Sequence, residues 1–269
     1  MTLVVNGSET VIPPTSEEPV VIGDVQIELP NSEVEARGER VDDGVVSFDN
    51  KDGSSTLPVL KDDGSVQITT VLRDESAPLT YDYDFELPEG VIITIDEAGV
   101  VTAVDGNKLV IGVAPAWAVD ATGAPVPTHY EIHQSTLTQV IDHTSGTFAY
   151  PIVADPWAGT RLFDRVWVSG NQKVSMITSG WGRWVQAVGA GSGWLYGQFI
   201  LNGAGWVEAV SAVPSLASKA TYYQQYQCHV LGAYTPLSGG PTWDLEGWRA
   251  NRPWWRTDGG AFPYKCNWP

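Results

Sequence analysis

Cysteine, methionine and histidine are scarce in this chain: two, two and four residues in 269. At that length a sizeable core is possible, so the fold can rest on its own packing rather than on metals or many disulfides. Basic side chains are also few, 15 against 32 acidic ones, for a formal net charge of -17. No run of eighteen apolar residues exists, which excludes a helical membrane span. A phosphate-cradling Gly-Lys-Ser/Thr loop and a basic stripe are both missing, which argues against nucleotide chemistry and nucleic-acid binding. A Gly-x-Ser-x-Gly nucleophile elbow is missing too, and residues 189–194, the nearest approach, read as a flexible glycine turn. The opening Met-Thr-Leu-Val-Val-Asn-Gly carries no basic segment followed by an apolar one, which leaves export undecided.

What is present is unevenly distributed. Residues 1–155 hold 27 acidic and 6 basic side chains, a net -21, whereas residues 156–269 hold 5 and 9, a net +4. Such an acidic half reads as a solvated surface, with a calcium site as the alternative; Asp42-Asp43 and Asp62-Asp63 precede glycines and mark turns, and no stretch matches an EF-hand loop. Eleven of the twelve tryptophans lie from Trp157 onward. The 28 glycines and 18 prolines are dispersed, as in a turn-rich folded chain.

Residues 1–19, rich in Thr, Ser, Pro and Glu, read as a flexible leader. Short segments of period-two alternation follow at 25–29, 44–48, 66–72, 81–87, 91–95, 100–104, 109–113, 129–132 and 137–142, separated by Asp-Gly and Pro-Glu-Gly turns. That spacing predicts an antiparallel β-sandwich over 20–155. Two prolines at 151 and 156 and the change of charge place the junction there. In 156–269, strands are expected at 161–169, 174–178 and 181–188, and helices at 205–210 and 215–226, the second opened by Pro214 and Ser215. The whole therefore reads as mainly β, with an N-terminal antiparallel β-sandwich followed by a smaller α+β domain. Cys228 and Cys266 fit either a disulfide or two buried thiols. A bridge across about 38 residues would contribute on the order of 4 kcal/mol in the chain-entropy picture.

The motifs Gln225-Tyr226-Gln227-Cys228-His229, Thr242-Trp243-Asp244-Leu245-Glu246-Gly247-Trp248-Arg249 and Cys266-Asn267-Trp268 resemble an actinobacterial family of exported proteins known as domain of unknown function 2599. That family's pattern runs Gln-aromatic-x-Cys-His, Trp-Asn/Asp-Leu-Glu-x-Trp-Arg, and a closing Cys-Asn. The likeness spans about 110 residues and departs after Arg249, where Ala250 stands in place of the usual proline. The N-terminal part is similar to another exported β-domain of the same bacteria through the segments 113–121, 127–131 and 153–156. Together these resemblances imply secretion and a disulfide between Cys228 and Cys266, and they imply no reaction.

Three constellations could carry chemistry. His129, Glu131 and His133 share a strand face by parity, with Asp142 and His143 within conceivable reach, but an outward polar face explains them without a metal. No metal or other cofactor is therefore expected. His229, the single histidine of the C-terminal domain, could form a general acid/base pair with Glu246 or Asp244, as in a secreted antimicrobial or toxin-like hydrolase; alternatively it supports the disulfide loop. Finally, Trp243, Trp248, Trp254, Trp255 and Trp268 fall within 26 residues, interleaved with Arg249, Arg252 and Arg256. Aromatic faces stack on sugar rings and guanidinium groups bind anions in pairs of hydrogen bonds, so Trp243, Trp248, Arg249, Trp254 and Trp255 are candidates for recognising a cell-surface glycan or protein. The same tryptophans could equally form a core. No pattern fixes the oligomeric state.

Overall fold

The computed structural model describes residues 1–5, 7–34, 36–42, 45–97, 99–188, 197–198, 200–232, 241–255 and 266–268. The glycine turn at 189–194, Asp43 and Arg256 lie outside the described residues. The chain divides into two compact units, Met1–Asp105 with Leu109–Thr160, and Arg161–Pro269 with Gly106–Lys108.

In the first unit, β1 (Thr2–Val5), β2 (Ser8–Val11), β3 (Val20–Ile22) and β4 (Val25–Glu28) lead into β5 (Glu39–Asp42), β6 (Val45–Asp49), β7 (Ser54–Leu60) and β8 (Val66–Leu72). They are followed by β9 (Thr80–Glu86), β10 (Ile92–Ile95), β11 (Val101–Asp105), β12 (Lys108–Val113), β13 (Trp117–Val119), β14 (Thr128–His133), β15 (Thr136–Ile141), β16 (Ile152–Asp155) and β17 (Trp157–Gly159). One sheet has the order β1-β2-β3-β4-β9-β15-β14; the other runs β10-β11-β12-β17-β8-β7-β6-β5, with β16 joining β13 to β8. The strand pairs are antiparallel.

Alternation explains the layering. In β9, Tyr81, Tyr83 and Phe85 point inward while Asp82, Asp84 and Glu86 face out; in β8, Val66, Ile68, Thr70 and Leu72 point inward. Side chains of both sheets meet in one core that includes Ile22, Ile27, Tyr83 and Leu137 on one side and Phe48, Ile68, Val101 and Ile111 on the other. Each fully buried residue of this kind contributes about 1.5–3 kcal/mol over leaving it in water. A hydrogen bond of 2.9 Å between Thr70 Oγ1 and Tyr83 Oη crosses from sheet to sheet.

Two expectations for this half need correction. The leader is structured: β1 pairs with β2 from Thr2↔Val11 to Val5↔Ser8, Ile12 and Val20 are fully buried, and the Thr10 hydroxyl donates to the Gly64 carbonyl at 2.7 Å. Thr, Ser and Val suit a pleated strand as well as a coil, and Ile12 supplies the burial that decides between them. The first unit also runs past 155, because Trp157 pairs with Gln67 and Ala158 with both Val66 and Val113.

In the second unit, β18 (Phe163–Gly170), β19 (Lys173–Thr178) and β20 (Trp243–Glu246) form a three-stranded antiparallel sheet. The helices are α1 (Gly180–Val188), α2 (Trp206–Ala212), which continues a π-helical turn at Leu201–Gly205, and α3 (Ala220–Gly232), preceded by a 3₁₀ turn at Pro214–Ser218. Residues 181–188 are thus helical, not extended. The Ser179 hydroxyl accepts from the Gly182 amide at 2.8 Å and caps the helix, and Trp181 and Val185, four residues apart, fill the core. Gly182 has no room for a side chain: a Cβ there would lie 2.1 Å from the Leu162 carbonyl oxygen. The helix expected over 215–226 is interrupted by extended backbone at Lys219. Cys228 and Cys266 form a disulfide with Cα atoms 5.4 Å apart. Around it cluster Trp255, Trp268 and Leu231.

Candidate binding site

β20 is an edge strand, and its outer row of peptide groups would be left open without other partners. Side chains supply them. The Gln225 amide on α3 lies along the strand like a short extra strand: its Oε1 accepts from the Glu246 amide at 2.9 Å and its Nε2 donates to the Glu246 carbonyl at 3.0 Å. Asn267 Nδ2 donates to the Asp244 carbonyl at 3.0 Å, and His229 Nε2 approaches the same oxygen at 3.4 Å. The disulfide fixes Cys266, and so the neighbouring Asn267, in place for this contact. Gln225, Cys228, His229, Cys266 and Asn267, all within the quoted motifs, thereby form one clasp over a strand edge.

Those contacts determine what the proposed catalytic residues can do. His229 is 4% exposed, stacked on Trp243 with ring centroids 5.7 Å apart and planes 8° from parallel. Burial pushes its pKa down to about 4, so the ring is neutral at pH 7. Because Trp243 faces the helix, strand alternation turns Asp244 and Glu246 the other way. Asp244 binds Lys173 Nζ at 2.9 Å and the Ser175 hydroxyl at 2.5 Å; Glu246 accepts from Arg249 Nε at 2.5 Å. His229 therefore meets the Asp244 backbone, and the structure does not bring it together with either carboxylate in an acid/base pair.

The five clustered tryptophans separate into two groups. Trp243, Trp255 and Trp268 are buried, at 4%, 2% and 0% exposure. Trp243 packs edge-on against Phe163 and Tyr226, and Trp255 stacks on Trp268, so Trp243 and Trp255, expected as ligand contacts, belong to the core. Trp248 and Trp254, at 52% and 72% exposure, face solvent. Arg249 places its guanidinium carbon 5.9 Å from the Trp248 ring centre. The site thus contracts to Trp248, Arg249 and Trp254, carried by the turn that leaves β20 and the segment after it.

Near this turn lies a depression of about 470 Å³ that sequence reasoning did not anticipate. Its walls come from the β18–β19 hairpin, the 3₁₀ turn that precedes α3 and the first turn of α3, including Val168, Gln172, Lys173, Ser218, Lys219 and Tyr222. Residues 168–173 and 215–222 are too far apart in the chain for any motif to link them. The depression adjoins the turn directly, because Lys219 Nζ donates to the Gly247 carbonyl at 2.7 Å, one residue before Trp248.

Elsewhere, His129 and His133 lie 3.4 and 3.8 Å from the Glu131 carboxylate on the exposed face of β14. His143 is buried, engaged by the Tyr150 hydroxyl at 2.7 Å and the Pro78 carbonyl at 3.2 Å, while Asp142 binds Ser145. Among the described residues no set of three His, Cys, Asp or Glu side chains could hold a metal ion. Two buried carboxylates also escaped sequence reading. Asp155 is raised to about 7 by burial, and Glu208 is raised to about 7 by burial although it accepts from the Leu162 and Phe163 amides. No helix among the described residues is long and apolar enough to cross a membrane.

Compared with known proteins, the chain matches no family model, no curated protein and no solved structure.

Proposed function

We propose that this chain is an exported binding protein, with no catalytic role, whose C-terminal unit takes up a cell-surface glycan on the rings of Trp248 and Trp254. The observation carrying this reading is the pair of large aromatic side chains held in solvent, with Arg249 beside one of them, in a unit that buries its other clustered tryptophans. Exposed indole is costly to keep in water, and an indole face gains most when it covers the apolar face of another ring. Rings presented from a turn fixed by the Gln225 clasp and the disulfide lose little freedom on binding, which favours affinity. Export accords with the disulfide, since such bridges persist in oxidising surroundings. No observation favours hydrolysis at His229 and Glu246.

A glycan array probed with the intact chain should show binding that Trp248→Ala and Trp254→Ala each weaken by about tenfold or more, the scale of one lost stacking contact. Binding unchanged in both variants, or binding to proteins in place of glycans, would overturn the assignment.

A further inference from the structure

The depression beside the turn adds a chemical requirement to the ligand, and this inference rests on the glycan reading above. Among the described residues its cationic groups are Lys173 and Lys219, and the two differ. Lys173 is neutralised by Asp244 at 2.9 Å. Lys219 is exposed, and its ammonium is held by two neutral oxygens, Gln172 Oε1 at 2.5 Å and the Gly247 carbonyl at 2.7 Å. An ammonium group offers three donors, so this arrangement leaves one donor and a full positive charge at the rim. Among the described residues no carboxylate lines the depression, and its lining includes Val168, 62% exposed, and the buried Tyr222. A cation with no carboxylate partner, in a depression that also exposes valine, suits a ligand with an anionic substituent on a ring that also has an apolar face.

We propose that the depression is a subsite for an anionic sugar unit, its carboxylate or phosphate on Lys219 and its ring against Val168, continuous with the stacking surface at Trp248. The chain thereby reads a negatively charged polysaccharide. The bidentate spacing of neutral oxygens around Lys219 fixes the ammonium before the ligand arrives, so little side-chain entropy is lost on binding.

The test uses the full chain and three polymers: polygalacturonate, which carries carboxylates, poly(glycerol phosphate), which carries phosphodiesters, and neutral dextran. Titration calorimetry should give at least tenfold tighter binding to one of the charged polymers than to dextran, weakening as salt is raised. Preference for polygalacturonate or for poly(glycerol phosphate) identifies the source of the anion. Lys219→Ala should lose about tenfold in affinity for that polymer, the scale of one charge-assisted contact. Val168→Asp should do the same by repulsion; because Val168 is exposed, it tests the subsite even if Lys219→Ala disturbs the Gly247 turn. Equal binding of charged polymers and dextran, all lost in Trp248→Ala and none in Lys219→Ala or Val168→Asp, would overturn the anionic subsite while leaving the stacking site standing. No binding to any of the three, together with a silent glycan array, would overturn both.

Discussion

The two units solve the same problem, burying enough surface to stay folded, by different means. The first spreads its core over two sheets and uses alternation: β4, β8, β9 and β15 each present one buried and one more exposed face, and the outward face of β9 gathers Asp82, Asp84 and Glu86. The second, among its described residues, sets a three-stranded sheet beside helices and relies on large aromatic rings, a covalent bridge and side-chain amides that finish an edge. A sandwich tolerates loss at single points because its core is redundant. In the smaller unit a few residues each bind several elements at once, so single changes should be felt more strongly there.

The largest expected difference follows removal of the bridge. Cys228→Ser should cost the second unit on the order of 4 kcal/mol while the first keeps its own stability, so calorimetry with and without a reductant should move one transition and leave the other. Two transitions shifting together would break the contrast.

Next comes pH. Asp155 lies 1% exposed in the first unit, accepts from Gln67 Nε2 at 2.7 Å, and among the described residues its Oδ1 has no hydrogen-bond partner. Its pKa stands at about 7 in the folded chain, above its ordinary value of 3.8, so the folded state holds the proton more tightly. That contribution is fully present below about pH 4 and is lost as pH rises through about 7, by as much as roughly 4 kcal/mol. Asp155→Asn should accordingly raise the melting point at about pH 8 and change it little at about pH 4. Glu208 gives the second unit the same direction, but His229 opposes it: a histidine lowered to about 4 costs stability as pH falls from about 6.5 toward 4. Between about pH 7 and pH 4, above the range in which the lowered Asp49 and Asp120 titrate, a fall in pH should thus favour the first unit more clearly than the second, and a sandwich that melts earlier over that range would refute this.

A smaller effect is expected from Gln225→Ala, which leaves the Glu246 amide and carbonyl without their partners. A loss of about 2–3 kcal/mol in the second unit's unfolding free energy is the scale of two buried polar groups left unpaired. The smallest is Trp254→Ala: at 72% exposure it should change stability by no more than about 0.5 kcal/mol, which separates a surface kept for contact from one kept for packing.

The sandwich was legible because alternation survives in β8 and β9 with little interference, and because acidic residues mark the solvent side. The N-terminal strands were hidden by Thr, Ser and Pro, which coils and strands share, and only the register with β3 reveals them. Residues 181–188 looked extended because Trp and Val favour strands; the cap at Ser179 and the four-residue spacing of Trp181 and Val185 were present but weaker signals. The tryptophan cluster was visible as a group, yet nothing local distinguishes buried Trp255 from exposed Trp254 beside it. That depends on the Trp255–Trp268 stack, whose partner is thirteen positions away. Likewise His229 and Glu246 looked like a pair in order along the chain, and one step of strand alternation separates them.

The finished edge of β20 bears on how the chain behaves when concentrated. Unpaired strand borders are where one molecule recruits another into ordered aggregates. At β20 that border is occupied by Gln225, Asn267 and His229, so an invading strand would first have to expel them. β5, the outermost strand of the larger sheet, is exposed throughout and has charged residues at Glu39, Arg40 and Asp42 as its deterrent. One border is guarded by occupation and the other by charge, and strong brine, which mutes charge, would weaken only the latter.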